Sequence, residues 1–292
     1  MELKQLRYFV QVAELGSFAK ASDVLDVPQP TLSRQIRALE LDLKTSLLHR
    51  HGRGVVPTAA GARFLEQAHG VLHAADAAVQ VVQTKKRLTG HVACGMTPSI
   101  GRKTIAEYVR RFNAELPEAT LAISNQVSVT LQEQLGAARL DFAVTYDPIP
   151  SPNIDITLLR QQGLFVIGRH PIGAPAETVG LAQLKNIPLI LPSRIYAVRR
   201  ALELAGARLG VFLHIRSEVD VLEAIFDLVA DGLGSTVATE GAIASLNQQE
   251  GLSVQRLVSP EITIDLALIT PLQRGLTPLQ KKATELARIM IV

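Results

Sequence analysis

Apolar residues in the first 57 positions recur at helical spacing in three short blocks. Leu3, Leu6, Phe9, Val10 and Ala13 share one face, and Gly16 follows them as a C-terminal glycine should. Ser17 can cap a second block formed by Phe18, Ala21, Val24 and Leu25. After the turn Asp26-Val27-Pro28-Gln29-Pro30, a third block of Leu32, Ile36, Leu39 and Leu43 predicts another helix. Pro30 suits its first position, where the missing N–H costs nothing. Gln29, Thr31, Ser33, Arg34 and Arg37 lie off that apolar stripe. A short helix, a tight turn and a helix with a polar N-terminal face make the helix-turn-helix arrangement, whose second helix enters the major groove of DNA. His49-Arg50-His51-Gly52-Arg53-Gly54-Val55-Val56-Pro57-Thr58 then reads as two extended arms around a glycine-rich tip, a basic wing.

From Thr58 to about Arg87 there is no proline, and Phe64/Leu65, Ala68, Val71/Leu72, Ala75, Ala78/Val79 and Val82 alternate at spacings of three and four. This is a coiled-coil-like seam about three heptads long. A helix of roughly 30 residues, ~45 Å, is too long to bury that seam on a small head alone, so a second copy of the helix is the expected cover. His69 and His73 stand at i and i+4, but no Glu occupies the zincin position between them and no third ligand is evident. They read as a solvated or packed pair.

Beyond Gly90 the pattern changes to short apolar runs separated by amphipathic stretches. Runs at 91–97, 119–124, 141–146, 164–168, 187–191, 211–216, 234–238 and 262–269 predict strands. Stretches at 100–113, 129–138, 195–207, 219–231 and 277–290 predict helices between them. The expectation is an α/β body with mainly parallel sheets. Segments 153–168 and 265–275 are placed to cross between two lobes, leaving a cleft of the kind that binds small ligands.

Length and composition narrow this picture. A chain of 292 residues, 47% hydrophobic, is enough for about two domains with sizeable cores, which excludes a disordered tail protein. The net charge of +3 is unevenly placed. Residues 1–57 carry eight Lys or Arg against six Asp or Glu, residues 58–92 four against two, and residues 93–292 eighteen against nineteen. A basic head on a neutral body fits a module that meets an anionic polymer. A single cysteine, Cys94, allows no internal disulfide and sits in an apolar run as a buried thiol. The N-terminus mixes charges into its apolar residues, so neither a signal peptide nor a membrane span is expected, and the reading is cytoplasmic.

Phe9, Gly16-Ser17-Phe18, Ala21, Leu25, Val27, Gln29-Pro30, Leu32-Ser33, Ile36, Leu39-Glu40, Leu47-Leu48, Arg50, Arg53, Thr58 and Gly61 stand in the order and spacing of a known signature. In these residues the chain resembles the LysR-type transcriptional regulators. Two positions depart from the pattern. Pro28 stands where Ser or Thr is common, removing a capping hydroxyl worth about 1 kcal/mol. Lys44 stands where a glycine usually ends the recognition helix, which requires a left-handed residue or another helix exit. Gly95-Met96-Thr97-Pro98-Ser99, Leu140-Asp141-Phe142-Ala143-Val144, Pro188 to Arg194 and Gly232-Leu233-Gly234 extend the resemblance, more loosely, along the rest of the chain.

The resemblance implies a winged helix-turn-helix at 1–58, a linker and dimerisation helix at 59–89, and an effector-binding domain at 90–292. That domain would be two-lobed and similar to type 2 periplasmic binding proteins, with lobe I near 90–160 and 268–292 and lobe II near 161–267. It also implies promoter DNA, a small-molecule effector, assembly as a dimer and then a tetramer, and contact with RNA polymerase.

Residue chemistry supplies the site candidates. Ser17, Gln29, Pro30, Thr31, Ser33, Arg34, Arg37, Arg50 and Arg53 are the expected DNA-facing set. Gln pairs with adenine and Arg with guanine, whereas Arg50 and Arg53 fit phosphates. In the body, Thr97, Pro98, Ser99 and Ser128 stand where strands give way to helices, and their hydroxyls with the free N–H groups there favour an anion such as an organic acid. Tyr146 closes a strand, and Arg194 and Arg199 are expected to complete the charge pairing from the other lobe. No cofactor, metal site or catalytic set is predicted. Gly232-x-Gly234 is followed by Val237 where a third glycine would stand, and neither a Walker lysine motif nor a G-x-S-x-G elbow occurs.

Overall fold

The computed structural model describes residues 1–52, 54–82, 88–173, 177–244 and 251–291. The chain forms two compact units, Met1–Lys86 and a second comprising most of the remainder. In the first, α1 (Leu3–Leu15), α2 (Phe18–Leu25) and α3 (Gln29–Asp42) precede β1 (Leu48–His51), β2 (Gly54–Pro57) and α4 (Ala59–Val82). Phe9, Val12, Ala21, Leu32, Ile36 and Leu39 are fully buried, and Leu65 and Ala68 of α4 close the same core.

Local chemistry explains each boundary of this head. Gly16 ends α1 with φ 62°, and the Ser17 hydroxyl accepts from Lys20 N at 3.3 Å to cap α2. α3 starts at Gln29, so Pro30 is its second residue, one later than its proline spacing predicts. Pro28 is the N-cap and offers no side-chain bond; its carbonyl accepts from Thr31 N at 2.8 Å. At the other end Lys44 takes the left-handed conformation, φ 52°. Lys44 N donates to Leu41 O at 3.1 Å and Thr45 N to Glu40 O at 3.0 Å. That pair of bonds is a Schellman exit built on a lysine.

β1 and β2 pair antiparallel from Leu48↔Pro57 to His51↔Gly54, forming the wing. Glu40 of α3 fixes its entry by accepting from Leu47 N at 2.8 Å and Leu48 N at 3.1 Å. α4 presses on the same segment: a Cβ on Gly61 would lie 1.9 Å from Leu47 O. Further along α4, Phe64 and Leu72 pack against the head, whereas Val71 and Val79 are exposed. Contacts from α1 meet the helix: Arg7 forms an ion pair with Asp76 at 2.6 Å, and a Glu14 carboxylate oxygen lies 3.0 Å from His69 Nε2. His69 therefore has a local carboxylate partner, and the side chain of His73 lies outside the described residues.

The second unit opens with β3 (Gly90–Met96), α5 (Arg102–Glu115), β4 (Ala119–Asn125), α6 (Ser128–Gly136) and β5 (Phe142–Tyr146). A long strand, β6 (Ile154–Gly168), leads to β7 (Thr178–Gly180), β8 (Leu189–Leu191), α7 (Ala197–Leu209) and β9 (Ile215–Glu218). Then follow α8 (Leu222–Ala230), β10 (Thr236–Thr239), α9 (Glu240–Ile243), β11 (Ser253–Val258), β12 (Thr263–Pro271) and α10 (Pro278–Ile291). Single 3-10 turns occupy Pro98–Ile100 and Leu181–Asn186.

The sheet runs β4-β3-β5-β12-β6-β11-β7, with β10 also on β6 and β8 paired with β9. It is mixed, which corrects the expectation of mainly parallel sheets. β3 is parallel to β4 and β5, and β8 to β9, but β12 runs antiparallel to both β5 and β6. The reason is that β6 and β12 are the two crossings between lobes and travel in opposite directions. Their ladder from Thr263↔Gly163 to Pro271↔Ile154 slips between Leu266 and Ala267, a bulge that bends the shared pair. The first lobe is built on β3, β4 and β5, and the second on the far end of β6 with β8, β10 and β11. Among the described residues, no helix is long and apolar enough to cross a membrane.

Candidate functional site

The first candidate site is the exposed edge of α3. Leu32, Ile36 and Leu39 are completely buried, so the helix presents Gln29, Pro30, Arg34 and Arg37 outward, with Thr31 and Ser33 half-buried beside them. The wing contributes Arg50, whose Nη1 donates to Ser33 Oγ at 2.9 Å and whose guanidinium lies 4.7 Å from the centre of the Phe18 ring. A cation over an aromatic face is held electrostatically, so this arginine is positioned without losing its charge. Ser17 is less available than expected, because its oxygen already caps α2. Arg53 lies outside the described residues. Glu40 is the residue of this region that sequence reasoning assigned no task, and its task is to couple the recognition helix to the wing.

The second candidate site is a cavity of about 50 Å³ in the cleft between the lobes of the second unit. Five expected residues line it: Thr97, Pro98, Ser99, Ser128 and Tyr146. The opposite wall comes from Tyr196, Ala197 and Val198 at the start of α7, Asp220 and Leu222 at the start of α8, and Thr236 and Thr239 of β10. Each element reaches the cavity with its strand end or helix start, where backbone N–H groups have no helical partner. Tyr196, Asp220 and Thr239 were missed in sequence; the readable signal was a polar residue between a short strand and a helix.

The polar groups of this cavity are largely committed to one another. Ser128 Oγ donates to Tyr146 O at 2.9 Å, and Thr239 Oγ1 donates to Ser99 O at 3.3 Å, which ties the second lobe to the first. The Tyr146 hydroxyl lies 3.0 Å from the Gln162 amide. With that amide turned so its NH2 faces the tyrosine, its oxygen accepts from Arg160 at 3.1 and 3.3 Å and every group is matched. Burial pushes the Tyr146 phenol up to about 12, against the opposing pull of its Thr239 hydrogen bond and the Arg160 charge. Asp220 accepts from Ser193 N at 2.8 Å and Ser193 Oγ at 3.1 Å. Thr97 Oγ1 is buried and has no hydrogen-bond partner among the described residues.

The two arginines expected here are elsewhere. Arg199 is 3% exposed, does not line the cavity and is held by Glu203 at 2.8 Å, Pro192 O at 3.0 Å and Glu218 at 3.5 Å. Arg194 is on the surface and pairs with the same Glu203 at 3.1 Å. Glu203 stands one helical turn beyond Arg199, and that local partner takes the charge that the cleft was expected to receive. Cys94 is fully buried in β3, where burial and then the Asp141 charge push its thiol up and keep it protonated.

Comparison with known proteins bears on both sites. Residues 3–62 match the family described as bacterial regulatory helix-turn-helix protein, lysR family, and residues 85–289 match the LysR substrate binding domain. The nitrogen assimilation regulatory protein nac of Escherichia coli (strain K12) is 28% identical over 293 residues, covering 100% of this chain and 95% of that protein. A cysteine-to-aspartate variant of full-length OxyR from Pseudomonas aeruginosa shares the fold with a TM-score of 0.81 at 24% identity, covering 100% of this chain and 94% of that one. Full-length CbnR, solved in complex with its target DNA, has a TM-score of 0.69 at 26% identity, covering 99% of this chain and 100% of that one. An exposed recognition helix with its wing, a two-lobed cleft and matches to both family domains lead to one conclusion: the chain belongs to the LysR family and is a LysR-type transcriptional regulator with an effector-binding domain.

Proposed function

We propose that this regulator reads a specific promoter sequence through α3, and that a small anionic effector in the lobe cleft controls it. The observation that carries the DNA reading is the outward row of Gln29, Arg34 and Arg37 above a fully buried Leu32-Ile36-Leu39 stripe. Gln and Arg supply bidentate base contacts worth ~1–3 kcal/mol each, and Arg50 supplies a phosphate contact that sets register. The solved CbnR–DNA complex supports the same use of this chain's head.

The exposed Val71 and Val79 on α4 support pairing with a second copy, which places two heads on two half-sites and raises their joint affinity through effective concentration. A tetramer of two such dimers and contact with RNA polymerase in the cytoplasm complete the reading. In the cleft, the N–H groups at the starts of α6 and α7 and the hydroxyl of Thr97 would receive the acid group of the effector. Because the cavity is walled by both lobes, a ligand that fits only the closed arrangement shifts the lobe equilibrium; about 1.4 kcal/mol of preference shifts it tenfold.

The test is binding to promoter DNA across a range of salt concentrations. A steep negative slope of log affinity against log salt is expected, and a flat one removes the DNA reading. Arg34→Ala should weaken the cognate site more than random DNA. Equal losses on both would reassign Arg34 to a phosphate.

A further inference from the structure

The cavity in the cleft has an uneven chemistry that its apolar lining conceals. Among the described residues lining it, Asp220 is the one with a formal charge, and no Lys, Arg or His is present to balance an incoming acid. Asp220 spends one hydrogen bond on each carboxylate oxygen, both to Ser193. A carboxylate offers about four acceptor positions, so half its capacity remains.

Several hydroxyl protons around the cavity are also spent. Ser128 donates to Tyr146 O, so its oxygen meets a ligand as an acceptor, whereas Thr239 donates to Ser99 O and already accepts from Ala242 N at 3.2 Å. Donors are concentrated elsewhere: the first N–H groups of α6 and α7, and the Thr97 hydroxyl, buried at 4% exposure without a partner among the described residues. A purely anionic ligand would satisfy these donors and bring a second negative charge into the cavity of Asp220. A ligand with an ammonium group as well would satisfy both sets, since an ammonium supplies three donors.

We propose that the effector is a small zwitterion, an amino acid in the chemical sense, whose acid group sits toward Thr97 and α6 and whose ammonium group is held by Asp220. This rests on the reading of the cleft as the site of an effector with an acid group, and adds an ammonium group to that ligand. Thr97 and α6 belong to the first lobe and Asp220 to the second, so such a ligand ties the two lobes by its two charges. Val127, Leu222 and Ile225 in the wall limit the remainder of the ligand to a small apolar group.

The experiment is isothermal titration calorimetry on the full chain with matched pairs: alanine against propionate, and valine against 3-methylbutanoate. At least one amino acid is expected to bind ten-fold or more tightly than its deaminated acid. Asp220→Asn, which keeps the shape and an acceptor for Ser193 N, should abolish that advantage without weakening binding of the acid. Asp220→Glu, which keeps the charge, should restore most of it. Acids that bind as well as their amino acids, or an advantage that survives in Asp220→Asn, overturn the zwitterion and leave the anionic reading standing. If neither class binds, both readings fall.

Discussion

The guanidinium of Arg50 lies over the ring of Phe18 at 4.7 Å, so a wing residue is held by the first residue of α2. Its remaining contact, to Ser33 Oγ at 2.9 Å, joins the wing to the recognition helix. Three elements thereby fix one positive charge beside the exposed edge of α3. Arg50→Ala should weaken cognate and random DNA alike and make the salt slope shallower by about one unit. Phe18→Leu keeps the charge but loses the aromatic seat, worth ~0.5–1 kcal/mol, so affinity should fall roughly two- to five-fold with the slope unchanged. Salt titrations of the two variants separate charge from positioning. A slope change in Phe18→Leu would refute the division of roles.

Lys44 occupies a left-handed position with φ 52° at the end of α3. A Cβ makes that conformation costly, and glycine adopts it freely. Lys44→Gly should therefore stabilise the head by up to about 1 kcal/mol, visible as a rise of a few degrees in its thermal unfolding. The same change removes a positive charge at the C-terminal exit of α3. Stability rising while DNA affinity falls at low salt would show that the lysine is kept for its charge at the expense of the turn.

Two glycines of α4 carry opposite expectations. A Cβ on Gly61 would meet Leu47 O at 1.9 Å, and both atoms are fixed by backbone. Gly61→Ala must push α4 off the entry to the wing and should cost several kcal/mol, with loss of DNA binding. Gly70 has nothing within 4 Å of an added Cβ, so Gly70→Ala should stabilise by up to about 1 kcal/mol through helix propensity alone. Chemical denaturation of both variants checks the pair, and similar effects from the two would contradict the packing described.

The head was legible because its information is local. Helical spacing, Ser17 as a cap, the Asp26–Pro30 turn and the glycine-rich wing tip each act within a few residues, and the anomaly at Lys44 was visible for the same reason. The second unit was legible only as α/β. β7 and β11 escaped notice because three- and six-residue strands with mixed polarity owe their existence to partners far along the chain. β6 and β12 were seen as crossings, but their antiparallel pairing follows from lobe geometry that no local pattern encodes. In the cleft, strand-to-helix junctions lead to Thr97, Ser99 and Ser128, which line the cavity. Arg194 and Arg199 do not line the cavity, for a reason present in the sequence: Glu203 lies four residues after Arg199, at the spacing of a helical ion pair.

Asp147 provides a prediction in which pH is the variable. It has φ 42°, and its Oδ1 accepts from Asp265 N at 2.8 Å while its own N–H donates to Asp265 O at 2.8 Å. Burial raises its carboxyl above the ordinary value of 3.8, and the charge of Asp265 adds to this, against the hydrogen bond from the Asp265 backbone and the attraction of Arg200. A raised acid binds its proton more tightly in the folded than in the unfolded chain. Below 3.8 both forms are protonated and the group costs nothing; as pH rises through the folded value, stability is lost, and above it the loss is constant. Asparagine keeps the acceptor oxygen, tolerates the left-handed backbone and carries no charge to desolvate. Asp147→Asn should therefore be more stable than the parent at neutral pH, and the difference should shrink as pH falls toward 3.8. Urea denaturation at a series of pH values measures this directly. A stability gain that instead grows on acidification would mean that the carboxylate is favoured in the folded protein, contrary to the balance of burial and charge around it.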